Sequence, residues 1–205
     1  MARHFRFQRR SPSRASKPMI LVATEGKETE PVYFELLKTV YRHVVTVLVS
    51  PGRSGQSNPR RVLKRLQDSI STHASWTARD QAWLVVDTDQ WTGKERQETE
   101  RKIAADPRLH LASSNPCFEL WLLLHFRDGW AAATGQDLAA LLNSRECLGT
   151  FCKETYDAAA LLPRIEAACG RAKHADRSSA NQWTSPGETH VYRVVERIIQ
   201  PQHFP

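Results

Sequence analysis

The sequence predicts an α/β fold: a doubly wound, mainly parallel sheet of four strands with helices on both faces, followed by a helical appendage. Two observations lead to this prediction. Short apolar runs alternate with helical patterns through the first 128 residues, which is the order that a parallel sheet with crossover helices produces. After Asp128 the strand-like runs stop and only helical periodicity continues.

The domain organisation follows from the same pattern. A chain of 205 residues can form one good core with a smaller appendage. We expect a basic, disordered arm at 1–17, an α/β domain at 18–128 and a helical appendage packed on it at 129–205. The net charge is +7, and much of it lies in the arm. Such an arm suits phosphate backbones, although a solvated terminus explains it equally well.

The first strand is predicted at Met19–Thr24, a nearly all-apolar run of the kind that is buried on both faces of a parallel sheet. Glu25-Gly26 ends it. A helix then follows, with Thr29 as the expected N-cap, Pro31 in the first turn and apolar residues at helical spacing as far as Tyr41.

The second strand is predicted at Val44–Val49, and a small, polar loop at Gly52–Ser57 follows it. Asn58-Pro59 predicts the start of a helix, whose apolar stripe runs from Val62 to Ile70. The other faces of this helix are basic, which suggests a contact with nucleic acid or simply a solvated surface. The tentative nucleic-acid-binding residues in this region are Arg53, Arg60, Arg61 and Lys64.

The third strand is predicted at Ala82–Val86 and the fourth at Leu109–Ala112, with an exposed helix at Thr92–Ala105 between them. A hydrophobic helix at Cys117–Phe126 should follow, with Glu119 in its first turn. Further helices are predicted at Gln136–Leu142, Tyr156–Cys169 and His190–Ile199.

Acidic residues follow two of the predicted strands. The third strand runs into Asp87 and Asp89, which can point the same way because side chains alternate along a strand, and Glu25 follows the first strand. The carboxyl ends of parallel strands meet at one edge of the sheet, where α/β proteins place their sites. Carboxylates this close repel one another unless a cation lies between them. The sequence therefore predicts a site for Mg²⁺ or Mn²⁺ held by Asp87 and Asp89, with Glu25 as acid, base or further ligand.

Other polar residues near this edge are weaker candidates. Helix N-termini favour acids in any case, so the acids among them have a structural explanation as well as a functional one. Lys153 could face the site from the helical part and is a further residue considered for nucleic-acid binding, whereas His125 is expected to be a packed core histidine. The residues considered as additional ligands or as support for the ligands are Glu28, Glu30, Ser114, Asn115 and Glu119.

The compartment is suggested by what the sequence lacks. No apolar run approaches the roughly 18 residues of a membrane span, and the N-terminus has no secretory core. The four cysteines show no zinc-finger spacing, and we expect reduced thiols. The sequence thus predicts a soluble, cytoplasmic protein without membrane contact; a homo-oligomer is one option for its assembly.

Glu25-Gly26 after one apolar strand and Asp87-Thr88-Asp89 after another resembles the Toprim domain of topoisomerases, primases and certain nucleases. More narrowly, the chain resembles the RloB family. The matching segments are Glu25 to Phe34, Asp87 to Asp89, Ser114 to Phe126 and Thr189 to Tyr192. The resemblance spans about Pro18 to Val195, and it departs at Ala23, where the family often has cysteine.

The resemblance implies a protein of bacterial phage-defence loci, found beside restriction–modification genes or paired with an ATPase in abortive infection. The leading hypothesis is a Mg²⁺-dependent nuclease acting on DNA or RNA. A non-catalytic adaptor that binds nucleic acid or the ATPase is the main alternative, and phosphotransfer on a nucleotide is a third. No Walker loop is present, so an ATP site of that type on this chain is not expected.

Overall fold

A computed structural model of the protein describes residues 17–52, 59–73, 76–89, 91–128 and 134–203. The predicted basic arm lies outside the described residues apart from Lys17, whose ammonium donates to the Arg42 carbonyl at 2.8 Å. Arg53 and Asn58 also lie outside them. Within the described residues, no helix is both long enough and apolar enough to cross a membrane.

Four parallel strands form the sheet: β1 (Met19–Thr24), β2 (Thr46–Ser50), β3 (Gln81–Asp87) and β4 (Leu109–Ser114). Their spatial order is β2-β1-β3-β4, and every pair is parallel. The predicted Toprim-like α/β sheet of four strands is therefore confirmed. The chain leaves β1 toward one edge and β3 toward the other, so the strand order reverses between these two central strands.

Helices cover both faces of the sheet. Side chains alternate along β1, so that Leu21 and Ala23 face one layer while Ile20 and Val22 face the other. Helices α2 (Pro59–Ser71) and α3 (Gly93–Ala104) pack on the first face, and α1 (Thr29–Tyr41) packs on the second. Because both faces are covered, β1 is apolar from Met19 to Ala23.

The C-terminal helices join the second face. These helices are α4 (Glu119–Leu123), α5 (Gly135–Leu142), α6 (Ile165–Ala175) and α7 (Val191–Ile199), with 3-10 helices at Ala158–Arg164 and Pro201–His203. Buried residues of α4 to α7, such as Trp121, Leu138 and Val195, share one core with Val22 of β1 and Phe34 of α1. The part of the chain predicted as an appendage thus completes a layer of the α/β core.

Three predicted helix boundaries are corrected. Helix α1 begins at Thr29 itself, the residue expected to cap it, and none of the described side chains makes a capping hydrogen bond there. The predicted helix Cys117–Phe126 is α-helical only over Glu119–Leu123, since bonds to the third residue back tighten its last turn. The predicted helix Tyr156–Cys169 begins as a 3-10 helix that contains Pro163, which has no N–H to donate.

An acidic pocket at the strand reversal of the sheet

The predicted acids meet in a cavity of about 360 Å³ at the carboxyl ends of β1 and β3. This is the place where the strand order reverses, and where doubly wound sheets bind their ligands. We call this cavity the acidic pocket. Its lining includes Glu25, Gly26, Lys27, Glu28, Thr29, Glu30, Asp87, Asp89, Cys117, Phe118, Glu119, Gly135 and Lys153.

Glu25 is held against the end of β3. Its Oε2 accepts from the Trp91 indole at 3.0 Å and from the Asp87 amide at 3.3 Å. Its Oε1 is buried and has no hydrogen-bond partner among the described residues. Burial raises the pKa of Glu25 to about 7, the bonds from Trp91 and Asp87 oppose this rise, and the charges of Glu30 and Asp89 add to it.

The two aspartates occupy different depths of the acidic pocket. Asp87, the last residue of β3, is half-buried, whereas Asp89 is exposed. The pKa of Asp87 lies well above its ordinary value, first because of burial and then because of the neighbouring charges of Glu30, Glu119, Glu25 and Asp89. Four neighbouring acids therefore contribute to the raised pKa of Asp87.

Glu30 and Glu119 form the buried floor. Glu30 is 5 % exposed, and burial raises its pKa. A Cβ atom on Gly26 would collide with the Glu30 carboxylate, so any other residue at position 26 would require that carboxylate to shift. Glu119 is 3 % exposed, and its Oε1 lies 2.8 Å from the ammonium of Lys153. Burial lowers the pKa of Lys153, but Glu119 more than compensates and leaves it raised.

Negative charge is in excess in this pocket. Six carboxylates and two ammonium groups are found among the described residues that line it. One ammonium, that of Lys27, lies 3.0 Å from Glu28, and the other is paired with Glu119. The buried acids next to the unpartnered Oε1 of Glu25 thus have the donor set, all oxygen, that Mg²⁺ and Mn²⁺ prefer.

Some predicted site residues are placed elsewhere. Ser114 Oγ lies 2.8 Å from Thr189 Oγ1, and the Asn115 amide donates to the Thr184 carbonyl at 3.2 Å. These two residues fasten the segment before α7 to the end of β4, and neither is among the described residues that line the acidic pocket.

The basic residues of α2 are partly engaged with acids. Arg60 lies 2.9 Å from Glu98 of α3, and Lys64 lies 2.9 Å from Asp68. Arg61 is exposed on the same helix. These residues lie apart from the acidic pocket, and of the basic residues predicted to contact nucleic acid it is Lys153 that lines the pocket.

Three residues that were not identified from the sequence support the acids, directly or through one another. They are Trp91, Arg96 and Trp183. Trp91, which donates to Glu25, packs on Trp183 with ring centroids 4.9 Å apart. The guanidinium of Arg96 lies 5.3 Å from the Trp183 ring and donates to the carbonyl of Thr88, between the two aspartates. Trp91 could have been suspected because it directly follows the acidic stretch. Trp183 lies in a polar segment that carries no comparable signal.

A hydrogen-bonded cluster fixes the segment that carries Trp183. Asp176 accepts from the hydroxyl of Tyr192 at 2.7 Å and from Arg193 at 2.6 Å, and it pairs with His190 at 3.2 Å. Glu188 is paired with Arg177 at 2.9 Å. Asp176, Glu188 and His190 are close enough to hold an ion, but these donors already occupy their oxygens. The cluster is therefore explained as a structural network.

Comparison with known proteins gives one match. A family model described as RloB-like protein matches residues 20–198, which includes every acid of the pocket. No curated protein matches the chain, and no solved structure does.

Proposed function

The chain belongs to the RloB-like protein family, and we propose that it is a metal-dependent nuclease that hydrolyses phosphodiester bonds in DNA or RNA. The observation that carries this proposal is the excess of carboxylates in the acidic pocket, six against two ammonium groups. A purely structural role does not account for this excess, because mutual repulsion destabilises the folded protein. A bound divalent cation would remove the repulsion.

Asp87 and Asp89 are the proposed metal ligands, with Glu25 beside them through its unpartnered Oε1. A magnesium or manganese ion in this place would stabilise the negative charge that develops on phosphate oxygens during hydrolysis. Asp87 approaches from the buried end of β3, and Asp89 reaches solvent. The pair thus connects the buried acids with the open side of the acidic pocket, from which a nucleic acid would enter.

Glu25 is the proposed proton carrier. Its pKa of about 7 lies near the pH at which a general acid or base works best. The bonds from Trp91 and Asp87 fix Oε2, so that Oε1 is the oxygen available to take or give a proton. Lys153, whose side chain is 57 % exposed, could bind a phosphate oxygen at the rim while it neutralises Glu119.

The proposed setting is a cytoplasmic effector of an anti-phage defence system that acts with a partner ATPase. This setting rests on the resemblance to proteins of bacterial defence loci. The basic face of α2, with Arg61 exposed, is the surface that we propose for following a nucleic-acid backbone beyond the active site.

The test is the substitution Asp87→Asn in the full chain. We expect calorimetric titration with Mn²⁺ to show binding by the wild type and at least a roughly tenfold loss in the variant, because a charged ligand becomes neutral. Metal-dependent cleavage of DNA or RNA, assayed with the partner ATPase, should fall by roughly a hundredfold or more.

The matched control is Asp128→Asn. Asp128 is exposed and lies 3.4 Å from Arg171, outside α2 and outside the described lining of the acidic pocket, so this variant should bind Mn²⁺ and cleave as the wild type does. A wild-type protein that neither binds Mn²⁺ nor cuts nucleic acid would contradict the proposal. Salt-sensitive nucleic-acid binding that is unchanged by Asp87→Asn, without cleavage, would instead favour the adaptor.

A further inference from the structure

A second cavity lies at the other end of the central strands. Its volume is about 560 Å³, within the range of pockets that hold small organic ligands. Gln81, the first residue of β3, lines this cavity, whereas Asp87, the last residue of β3, lines the acidic pocket. A strand rises about 3.3 Å per residue, so the two cavities are about 20 Å apart along β3.

One wall of this second cavity is aromatic. Trp83 of β3 and His110 of β4 are partners in the sheet, and their rings are stacked with centroids 4.7 Å apart and planes at 27°. The Trp83 indole donates to the side chain of Gln81 at 3.1 Å, which fixes its plane. Burial and the charge of Arg197 lower the pKa of His110 to about 4, so its ring is neutral at physiological pH. A further flat ring can extend this stack.

Another part of the lining is cationic. Among the described residues, helices α6 and α7 contribute Lys173, Arg193 and Arg197 against the single acid Glu196. Arg193 is already engaged with Asp176 at 2.6 Å. Lys173 is different, because its side chain is 66 % exposed and its ammonium lies 3.7 Å from Glu196. A loose, exposed pair of this kind contributes little to stability, so an incoming anion can recruit the ammonium at little cost.

We infer that this second cavity binds a nucleoside monophosphate, with the base stacked on the Trp83–His110 wall and the phosphate toward Lys173. A base and a phosphate together match these two parts of the lining, as in proteins that hold single-stranded nucleic acid by aromatic stacking and cationic side chains. The same unit occurs free and at the end of a nucleic-acid strand. The inference is independent of the proposed nuclease activity, since it uses different residues at the opposite end of β3.

The experiment titrates the full-length protein with adenosine monophosphate by calorimetry, in the presence of a chelator. Adenosine and ribose 5-phosphate, each of which engages one wall only, should bind at least roughly tenfold more weakly. His110→Ala should weaken the nucleotide roughly 5- to 100-fold, the range for loss of one base–aromatic stack. Lys173→Glu should weaken it by roughly tenfold or more, because it reverses the charge near the phosphate. A short 5′-phosphorylated single strand shows whether a strand end is preferred to the free nucleotide.

The matched control is Lys102→Glu on α3. Like Lys173, Lys102 is paired with a glutamate, in this case Glu98 of its own helix, at 3.1 Å, but it lies on the other face of the sheet. This control should bind the nucleotide as the wild type does. The inference is overturned if adenosine monophosphate fails to bind at millimolar concentration, or if Lys173→Glu binds it unchanged. Circular dichroism reports whether His110→Ala is folded, and Lys173→Glu decides alone if it is not.

Discussion

The burial of Glu25 destabilises its ionised form and at the same time leaves one carboxylate oxygen available for a ligand. Glu25 is 9 % exposed, two donors bind one of its oxygens, and the other oxygen has no partner in the part of the chain that the structure describes. A carboxylate in this position prefers to be protonated. Ionisation of Glu25 destabilises the metal-free fold. A bound cation can offset this loss of free energy.

The pH dependence of stability follows from this residue. The pKa of Glu25 is about 7 in the folded protein and 4.5 as the ordinary value, so its contribution to stability is complete below pH 4.5 and is lost as the pH rises to about 7. In the presence of a chelator, we expect the wild type to lose up to about 3 kcal/mol relative to Glu25→Gln across this interval. Urea unfolding at a series of pH values measures the difference.

A control with the opposite sign is available in the same chain. Hydrogen bonds from Thr92 lower the pKa of Glu95, so Glu95 stabilises the fold above its ordinary pKa, and this contribution is lost as the pH falls through the lowered value. The wild type should therefore gain stability over Glu95→Gln as the pH rises from the lowered pKa of Glu95 through its ordinary value of 4.5. Equal slopes for the two variants would refute the assignment of the pH dependence to Glu25.

At the scale of elements, the strands and their terminal acids could be predicted because both signals are local. Each apolar run is contiguous, and an acid at its carboxyl end must lie at the sheet edge. Thus Glu25, Asp87 and Glu119 were predicted near one another, and they line one pocket. Helix ends were less predictable, since Thr29, the residue expected to cap α1, is instead its first residue.

Trp183 could not be predicted, because its role depends on tertiary contacts across the chain. It lies between α6 and α7 in a polar segment, and the Asp176 and Glu188 network positions this segment. From there it contacts Trp91, which holds Glu25, and Arg96, which holds the turn between the two aspartates. Trp183 therefore supports both Glu25 and the turn between Asp87 and Asp89, although it lies about ninety positions further along the sequence.

The contacts of Trp183 with Trp91 and Arg96 predict that Trp183→Ala lowers both stability and Mn²⁺ affinity. The variant should lose about 2 kcal/mol of stability, because a half-buried indole leaves a gap, and its Mn²⁺ affinity should fall roughly tenfold as Trp91 and Arg96 loosen. Trp183→Phe keeps an aromatic ring and should restore most of that affinity. Thermal unfolding and calorimetric titration provide the two measurements.

Trp76→Ala tests whether the loss of Mn²⁺ affinity in Trp183→Ala is specific to Trp183 or follows from lower stability alone. Trp76 is also half-buried, and the guanidinium of Arg108 lies 5.9 Å from its ring, but it contacts none of the acids. This variant should lose stability while its Mn²⁺ affinity stays unchanged. If Trp76→Ala and Trp183→Ala weaken Mn²⁺ equally, Trp183 has no particular role at the acidic pocket.

At the scale of the whole molecule, the C-terminal helices and the sheet depend on one another. The predicted division placed a boundary near residue 128, yet Val22 of β1 and Val195 of α7 are buried in one core. Thr189 adds a bridge to Ser114 at the end of β4. Sequence periodicity identified the helices but could not show this, because an amphipathic helix does not specify the surface that it covers.

A shared core predicts one cooperative unfolding transition. Val22→Ala and Val195→Ala lie on opposite sides of the predicted boundary, and each should lower the free energy of unfolding by about 2 kcal/mol through loss of buried methyl groups. Both should shift the same transition, whether it is followed by far-ultraviolet circular dichroism or by tryptophan fluorescence, because coincident probes indicate two-state unfolding.

Val40→Ala on α1 is the matched control, since Val40 is 36 % exposed and its loss should change stability by less than about 0.5 kcal/mol. Two separate transitions, with Val195→Ala shifting only the earlier one, would mean that the helices after residue 134 unfold as a unit of their own. The position of Trp183, and with it the support for the acids, would then depend on a part of the chain that can detach while the sheet remains folded.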